Sequence, residues 1–267
     1  MIAFAGNSIF CRLALVETSI DAASFTTVRL LSGAVMLWLL TLTSGNKAFG
    51  QGNWLSALAL FAYAACFSFA YLSLSAATGA LLLFGAVQAT MIGYGLWLGQ
   101  RLSALQMSGF VLACTGLIGL LLPGISAPPL FGSLLMLASG IAWAIYSLRG
   151  QNSIRPLDVT AGNFLMAVPM AVLLSLVTAS DFTPDPVGIA YGVASGALAS
   201  GIGYAIWYMV LPNLKAASAA TIQLSVPVLV AISGVLFLAE PITIRMSLAS
   251  IAILGGIAMV ILERKRI

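Results

Sequence analysis

Apolar residues run along this chain in long blocks with polar punctuation between them, rather than alternating or tracing a single stripe. Ten such blocks lie at approximately 2–16, 23–43, 53–74, 76–98, 104–122, 130–148, 158–178, 187–210, 216–238 and 244–262. Most approach the ~20 apolar residues that a helix needs to cross the hydrocarbon of a bilayer. The breaks fall at turn-formers and charges: Ser44-Gly45-Asn46-Lys47, Gln100-Arg101, Pro123-Gly124 with Pro128-Pro129, Asp181 to Pro186, and Glu240-Pro241. The pattern predicts ten membrane-spanning helices with short connections. A transmembrane barrel, which needs strict alternation, does not fit. The first block is short by about one helical turn, as expected of a chain that begins late, and it lacks the basic leader of a signal peptide.

Composition agrees. Only 7% of the 267 residues are charged and 61% are apolar, against about 25% charged in a soluble domain. Mean hydropathy is +1.09. Histidine is absent, which removes Ser-His-Asp and Cys-His catalysis, HExxH zinc sites and histidine relays. Cys11, Cys66 and Cys114 sit inside apolar blocks with no CxxC spacing, so no metal site or disulfide framework is expected. No catalytic residue and no cofactor is indicated.

The basic residues between the spans are scattered singly, which argues against nucleic acid and for a report of membrane orientation. With the amino terminus in the cytoplasm, inside segments hold Lys47, Arg101, Arg149, Arg155, Lys215, Arg264, Lys265 and Arg266, whereas outside loops hold only Arg245 among basic residues. Glu17, Asp21, Asp181, Asp185 and Glu240 fall outside. The positive-inside rule thus places both termini in the cytoplasm, which requires an even number of spans.

Blocks four and five resemble nine and ten at an offset of 140 residues: Ala76-Ala77-Thr78-Gly79-Ala80 lies against Ala216-Ala217-Ser218-Ala219-Ala220, Leu96-Trp97-Leu98-Gly99-Gln100 against Leu236-Phe237-Leu238-Ala239-Glu240, and Gly116 against Gly256. A repeat of five spans has an odd count, so its copies must sit upside down relative to each other. The expected fold is therefore an all-α integral membrane protein with ten transmembrane helices arranged as two inverted five-helix repeats, residues 1–125 and 126–267. Inverted repeats are a transporter architecture, because related halves can close either side around one site.

In order and spacing the chain resembles the ten-span EamA-type permeases of the drug/metabolite transporter superfamily. The resemblance rests on Gly6-Asn7-Ser8, Arg29, Leu98-Gly99-Gln100-Arg101-Leu102-Ser103, Trp143-Ala144-Ile145-Tyr146, Gly203-Tyr204 with Trp207, and Pro227 through Leu238-Ala239-Glu240-Pro241-Ile242-Thr243. Two positions depart from the family pattern: Phe4-Ala5 precedes Gly6 where a tryptophan is usual, and Gln100 replaces a glutamate. The resemblance implies export of amino acids or related small metabolites, with helices 1, 3, 4, 6, 8 and 9 lining the path.

Polar side chains in hydrocarbon are costly and usually face a bundle interior or a water-filled path. Asn7, Ser8, Gln88, Asn163 and Gln223 are candidate solute contacts, the alternative being interhelical bonds of about 0.6 kcal/mol each. Aromatic residues recur at helical spacing: Tyr63, Phe67 and Tyr71, then Trp143 and Tyr146, then Tyr204, Trp207 and Tyr208. Of these, Tyr71, Trp143, Tyr146, Tyr204, Trp207 and Tyr208 are candidate cavity-wall residues, against a reading as plain packing. Arg12 and Arg29 lie one to two turns from the outer face; snorkelling, or pairing with Glu17 or Asp21, is a simpler account of them than solute binding. Gly95 with Gly99, and Gly192 with Gly196, have the spacing that lets helices approach and slide. Pro227 and Pro169 each remove a backbone donor in mid-span; Pro227 is the candidate gate element.

All seven acidic residues map to loops or span ends, so facilitative uniport by alternating access is expected. Proton-coupled export of amphiphilic drugs is the alternative, and a non-transporting scaffold or sensor the rival from another class. The expected setting is a bacterial-type inner membrane, with a small solute and lipid as partners, in a monomer or weak homodimer.

Overall fold

A computed structural model describes residues 1–43, 51–124, 127–150, 155–178, 185–210 and 222–263. These are α-helical apart from short connections. Helices α1 (Ile2–Glu17), α2 (Ala22–Thr43), α3 (Trp54–Tyr71), α4 (Ala76–Trp97) and α5 (Ala104–Leu121) are followed by α6 (Leu130–Gly150) and α7 (Pro156–Val177). Helix α8 is continuous but composite: Pro186–Val193, wider π-helical turns over Ala194–Ile202, then Gly203–Val210. Helices α9 (Ser225–Leu238) and α10 (Ile244–Glu263) complete the set. Eight of these elements are long and apolar enough to cross a membrane; α9 is a shorter apolar helix, and α1 has 16 residues. The segment of the ninth block before residue 222 lies outside the described residues, as do the loop cations Lys47, Lys215, Arg264, Lys265 and Arg266.

Local chemistry sets the boundaries. Asn53 Oδ1 accepts from the amides of Leu55 and Ser56 to start α3. Ser103 and Gln106 form a reciprocal capping box at α5. Asp185 accepts from Val187 and Gly188 to start α8, where Pro186 needs no donor. The carboxyl ends of α4 and α9 correspond. Gly99 has φ +85° and Ala239, 140 residues later, has φ +50°. At α4 the Gln100 amide donates to Gly95 O and the Gly99 amide to Leu96 O, a pair of bonds that satisfies carbonyls left over at a helix end. Gly95 and Gly99 thus terminate α4 rather than forming the expected helix–helix ridge, because a left-handed residue at 99 ends the helix there.

The most extensive packing pairs map onto one another when each helix is exchanged for the one five places along. Helix α3 packs on α6, and α8 on α1; α4 packs on α6, and α9 on α1; α2 packs on α8, and α7 on α3. The pairs α2–α7, α4–α9 and α5–α10 join helices five apart. Close approach is built from small residues at two seams. A Cβ on Gly109 would lie 2.6 Å from Gly256 O across α5–α10. Gly192 and Gly196 lay α8 against Val28, Arg29 and Ser32 of α2, the contact their spacing predicts. Pro227 falls in the first turn of α9, after an interruption at Leu224. The missing donor therefore sits at a helix start and not within a continuous kinked rod.

Candidate functional site

The side chains of α1, α2, α3, α6, α7 and α8 converge on one polar–aromatic cluster. Arg29 of α2 is 1% exposed, and its Nη2 donates to Tyr63 Oη at 2.8 Å. Asn7 Nδ2 donates to the same oxygen at 3.2 Å, and Ser195 Oγ donates to Asn7 Oδ1. The Arg29 guanidinium lies 5.1 Å from the Tyr63 ring centroid and 4.8 Å from that of Phe67, contacts worth ~2 kcal/mol or more when desolvated. Trp143 packs on Tyr63, Tyr146 and Tyr204 with centroids 4.8, 5.5 and 5.3 Å apart. Phe164, Phe4 and Trp207 extend the wall around Tyr204.

Ser195 belongs to the π-helical stretch of α8. The wider turn shifts the side-chain register there, and such bulges are frequent at functional sites. Helix α6 is held against α3 by Ser139 Oγ donating to Tyr63 O at 2.9 Å, which fixes the height of Trp143 beside Tyr63.

Each end of the bundle carries its own polar lock. At one end Arg12 Nε donates to Glu240 Oε1 at 3.0 Å and Arg12 Nη1 to Tyr71 O at 2.7 Å. Glu240 Oε2 also accepts from the Ala76 amide at 2.7 Å, so α1, α3, α4 and the end of α9 meet there. At the other end Arg149 donates to Ser56 Oγ and Asn53 Oδ1, both at 3.0 Å, while Asn163 Oδ1 accepts from the Asn53 amide at 2.8 Å. A cavity of about 20 Å³ lies between Ser56, Tyr146, Arg149, Thr160 and Asn163, room for about one water.

The sequence-derived candidates therefore separate. Asn7, Trp143, Tyr204 and Trp207 meet in the cluster, and Tyr146 bridges from it to the small cavity, where Asn163 lies. Tyr71 donates to Ala76 O and belongs to the Arg12 end. Ser8 and Gln88 are buried, and no hydrogen bond among the described residues ties Gln88 to the cluster. Gln223 is half-buried just before the break at Leu224; the side chain of Tyr208 lies outside the described residues.

Arg29 neither snorkels nor pairs with Glu17 or Asp21: it is the buried centre of the cluster. Arg12 finds its carboxylate, Glu240, just beyond the end of α9 instead. Asp158, assigned to a span end, is 1% exposed, and neither carboxylate oxygen has a hydrogen-bond partner among the described residues; Arg155 forms an ion pair with it at 4.0 Å. Of the residues missed, Tyr63 and Phe67 were signalled by the spacing Tyr63-Phe67-Tyr71. Ser195 and Phe164 carried no signal.

Residues 130–262 match the model of the EamA-like transporter family. A Pseudomonas aeruginosa protein, Uncharacterized protein PA1977, is 54% identical over 99% of this chain and 92% of its own length. An Uncharacterized transporter of Archaeoglobus fulgidus is 26% identical over 96% of this chain and 93% of its own length.

The chain belongs to the EamA-like transporter family.

As a member of that family within the drug/metabolite transporter superfamily, it is a multi-pass membrane transporter of small molecules. The Escherichia coli Threonine/homoserine exporter RhtA is 34% identical to this EamA-like transporter over 55% of this chain, which spans about half of that protein (51%). A solved crystal structure at 21% identity superposes with a TM-score of 0.69 over 99% of this chain and 96% of its own, which speaks for the shared fold.

Proposed function

We propose that this transporter exports amino acids or related small neutral or zwitterionic metabolites across a bacterial-type inner membrane, by alternating access between two inverted repeats, residues 1–125 and 126–267. Both termini face the cytoplasm in this reading, so the Arg12–Glu240 end is outer and the Arg149 end inner. The observation that carries it is the convergence of Asn7, Arg29, Tyr63, Trp143, Ser195 and Tyr204 from five helices between two separate polar locks. The cluster combines hydrogen-bonding groups with an aromatic wall suited to a solute that is polar at one end and apolar at the other. The half-length likeness to a threonine/homoserine exporter points the same way.

The cluster contains no carboxylate among the described residues, so uniport down the solute gradient is the favoured mechanism. Asn7, Tyr63 and Ser195 orient the polar end, while Trp143, Tyr204 and Trp207 exclude water. Ser8, Gln88, Gln223 and Tyr208 remain proposed contacts in other states of the cycle, with Gly192, Gly196 and Pro227 as gating elements. The protein acts as a monomer or weak homodimer in lipid, with no nucleic-acid partner and no cofactor.

Proteoliposome counterflow with labelled amino acids, nucleosides and amphiphilic drugs tests the reading. Protein-dependent flux is expected for an amino acid, and its absence throughout the panel removes the proposal. A second reading, proton-coupled export of amphiphilic drugs, is favoured by Asp158, buried with no hydrogen-bond partner among the described residues and only a 4.0 Å ion pair to Arg155. Uniport predicts that flux is indifferent to an imposed pH gradient and survives Asp158→Asn; flux that is driven by the gradient and lost in Asp158→Asn selects the coupled mechanism.

A further inference from the structure

Hydrogen-bond bookkeeping around Arg29 leaves donors in excess. Tyr63 Oη accepts from both Arg29 Nη2 and Asn7 Nδ2, and its own proton finds no acceptor among the described residues. The Asn7 carbonyl oxygen is already taken by Ser195. Arg29 Nη1 is buried with no hydrogen-bond partner among the described residues. The titratable groups facing the guanidinium are Tyr63, Tyr204 and Cys11, none of them a carboxylate. The contrast with Arg12 is informative: that arginine sits nearer the helix end and is matched by Glu240 at 3.0 Å. Fully burying an arginine without an anion is costly, and the rings of Tyr63 and Phe67 offset the cost only in part.

Resting on the transporter reading of the cluster, we infer that Arg29 Nη1 and the Tyr63 hydroxyl receive the carboxylate of the transported solute. A guanidinium presents paired donors that match two carboxylate oxygens, and a phenol beside it adds a third. The aromatic surfaces of Trp143 and Tyr204 then face the remainder of the solute. Arg29 is accordingly a specificity-determining residue: acids are accepted, whereas their carboxamides and the corresponding amines are refused. A site built for a charged hydrogen-bonding group discriminates strongly, because an analogue lacking it leaves buried donors unpaired.

The test is binding to the purified full-length protein, read as ligand-dependent thermal stabilisation. The ligands are L-threonine, L-leucine and L-phenylalanine, each paired with its carboxamide. At least one acid is expected to bind tenfold or more tightly than its own amide, the span of a charged hydrogen bond. Arg29→Met abolishes that preference and Arg29→Lys restores part of it. Should the Arg29 variants fail to fold, Tyr63→Phe, which keeps the ring under the guanidinium, weakens the acid several-fold and leaves the amide unchanged. Equal binding of acid and amide, binding of neither, or an acid preference untouched by Arg29→Met or Tyr63→Phe overturns the inference. Counterflow of the same acids separates the two claims: selective binding without flux refutes the transport reading and leaves the carboxylate site standing.

Discussion

The Arg12–Glu240 pair is the point where a small chemical change has the most legible consequence. Its two charges are 3.0 Å apart, with side chains 17% and 12% exposed. At an effective dielectric of about 20 the gross attraction is roughly 5.5 kcal/mol, much of it offset by desolvation. Exposed pairs contribute ~0–1 kcal/mol, and breaking fully buried ones costs ~3–5, so an intermediate coupling of about 2 kcal/mol is expected here. Glu240→Gln removes the charge but retains an oxygen that can accept from the Ala76 amide, so the start of α4 keeps its partner.

If the pair holds the outer end closed, its loss raises the outward-open population by up to about thirtyfold, the equivalent of 2 kcal/mol. The protein carries its own reporter. Cys11 precedes Arg12 on α1 and is fully buried, facing Arg29 and Ser68. With Cys66 and Cys114 replaced by alanine, the rate at which an impermeant maleimide modifies Cys11 from outside intact proteoliposomes reads the opening directly. Glu240→Gln and Arg12→Gln should each raise it at least tenfold, and the double variant should add little beyond either. An unchanged rate in all three, with folding verified, would show that the pair ties helices together without gating them.

Two further expectations concern the scaffold. Gly109→Ala places a methyl 2.6 Å from Gly256 O and 2.8 Å from Met259 Cβ; overpacking against backbone costs ~1–3 kcal/mol and exceeds the ~1 kcal/mol gain in helix propensity, so Tm falls. Gly119→Ala, on the same helix with nothing within 4 Å, should leave Tm unchanged or raise it, and equal responses of the two variants would contradict the packing. At the head of α8 the amide of Gly188, followed by those of Ser19 and Val187 and the Ser19 hydroxyl, holds the Asp185 carboxyl below its ordinary range. A lowered value in the folded protein means that the carboxylate stabilises fully above the unfolded pKa of ~4 and ceases to as pH falls through the folded value. Asp185→Ala should therefore lower Tm at pH 7 and progressively less on acidification. A gap that stays constant down to pH 3 would deny the carboxylate that role.

What the chain discloses in one dimension follows from what a bilayer asks of it. Span positions were readable because any crossing helix must be apolar, whereas the caps that start α3, α5 and α8, Asn53, Ser103 and Asp185, became evident only in the structure. Helix rotation was not readable. A soluble helix shows its buried face as a hydrophobic stripe, but a helix between lipid and protein is apolar all round, so nothing in the sequence said that Arg29 points inward to Tyr63 rather than outward past Asp21. Ser195 is invisible for a related reason: its orientation depends on the π-helical turns of α8, and in sequence it is one small residue among many. The 95–99 spacing shows that one pattern can serve two ends, since small residues four apart build a helix seam at Gly192 and Gly196 and a helix terminus at Gly95 and Gly99. The counterpart of Gly99 sharpens the point. Ala239 holds the left-handed conformation without being glycine, at a cost of roughly 1–2 kcal/mol. Packing must enforce that turn, with Glu240 behind it anchored to Arg12 and Ala76. The correspondence between the two helix ends is thus kept by geometry where residue identity has been lost.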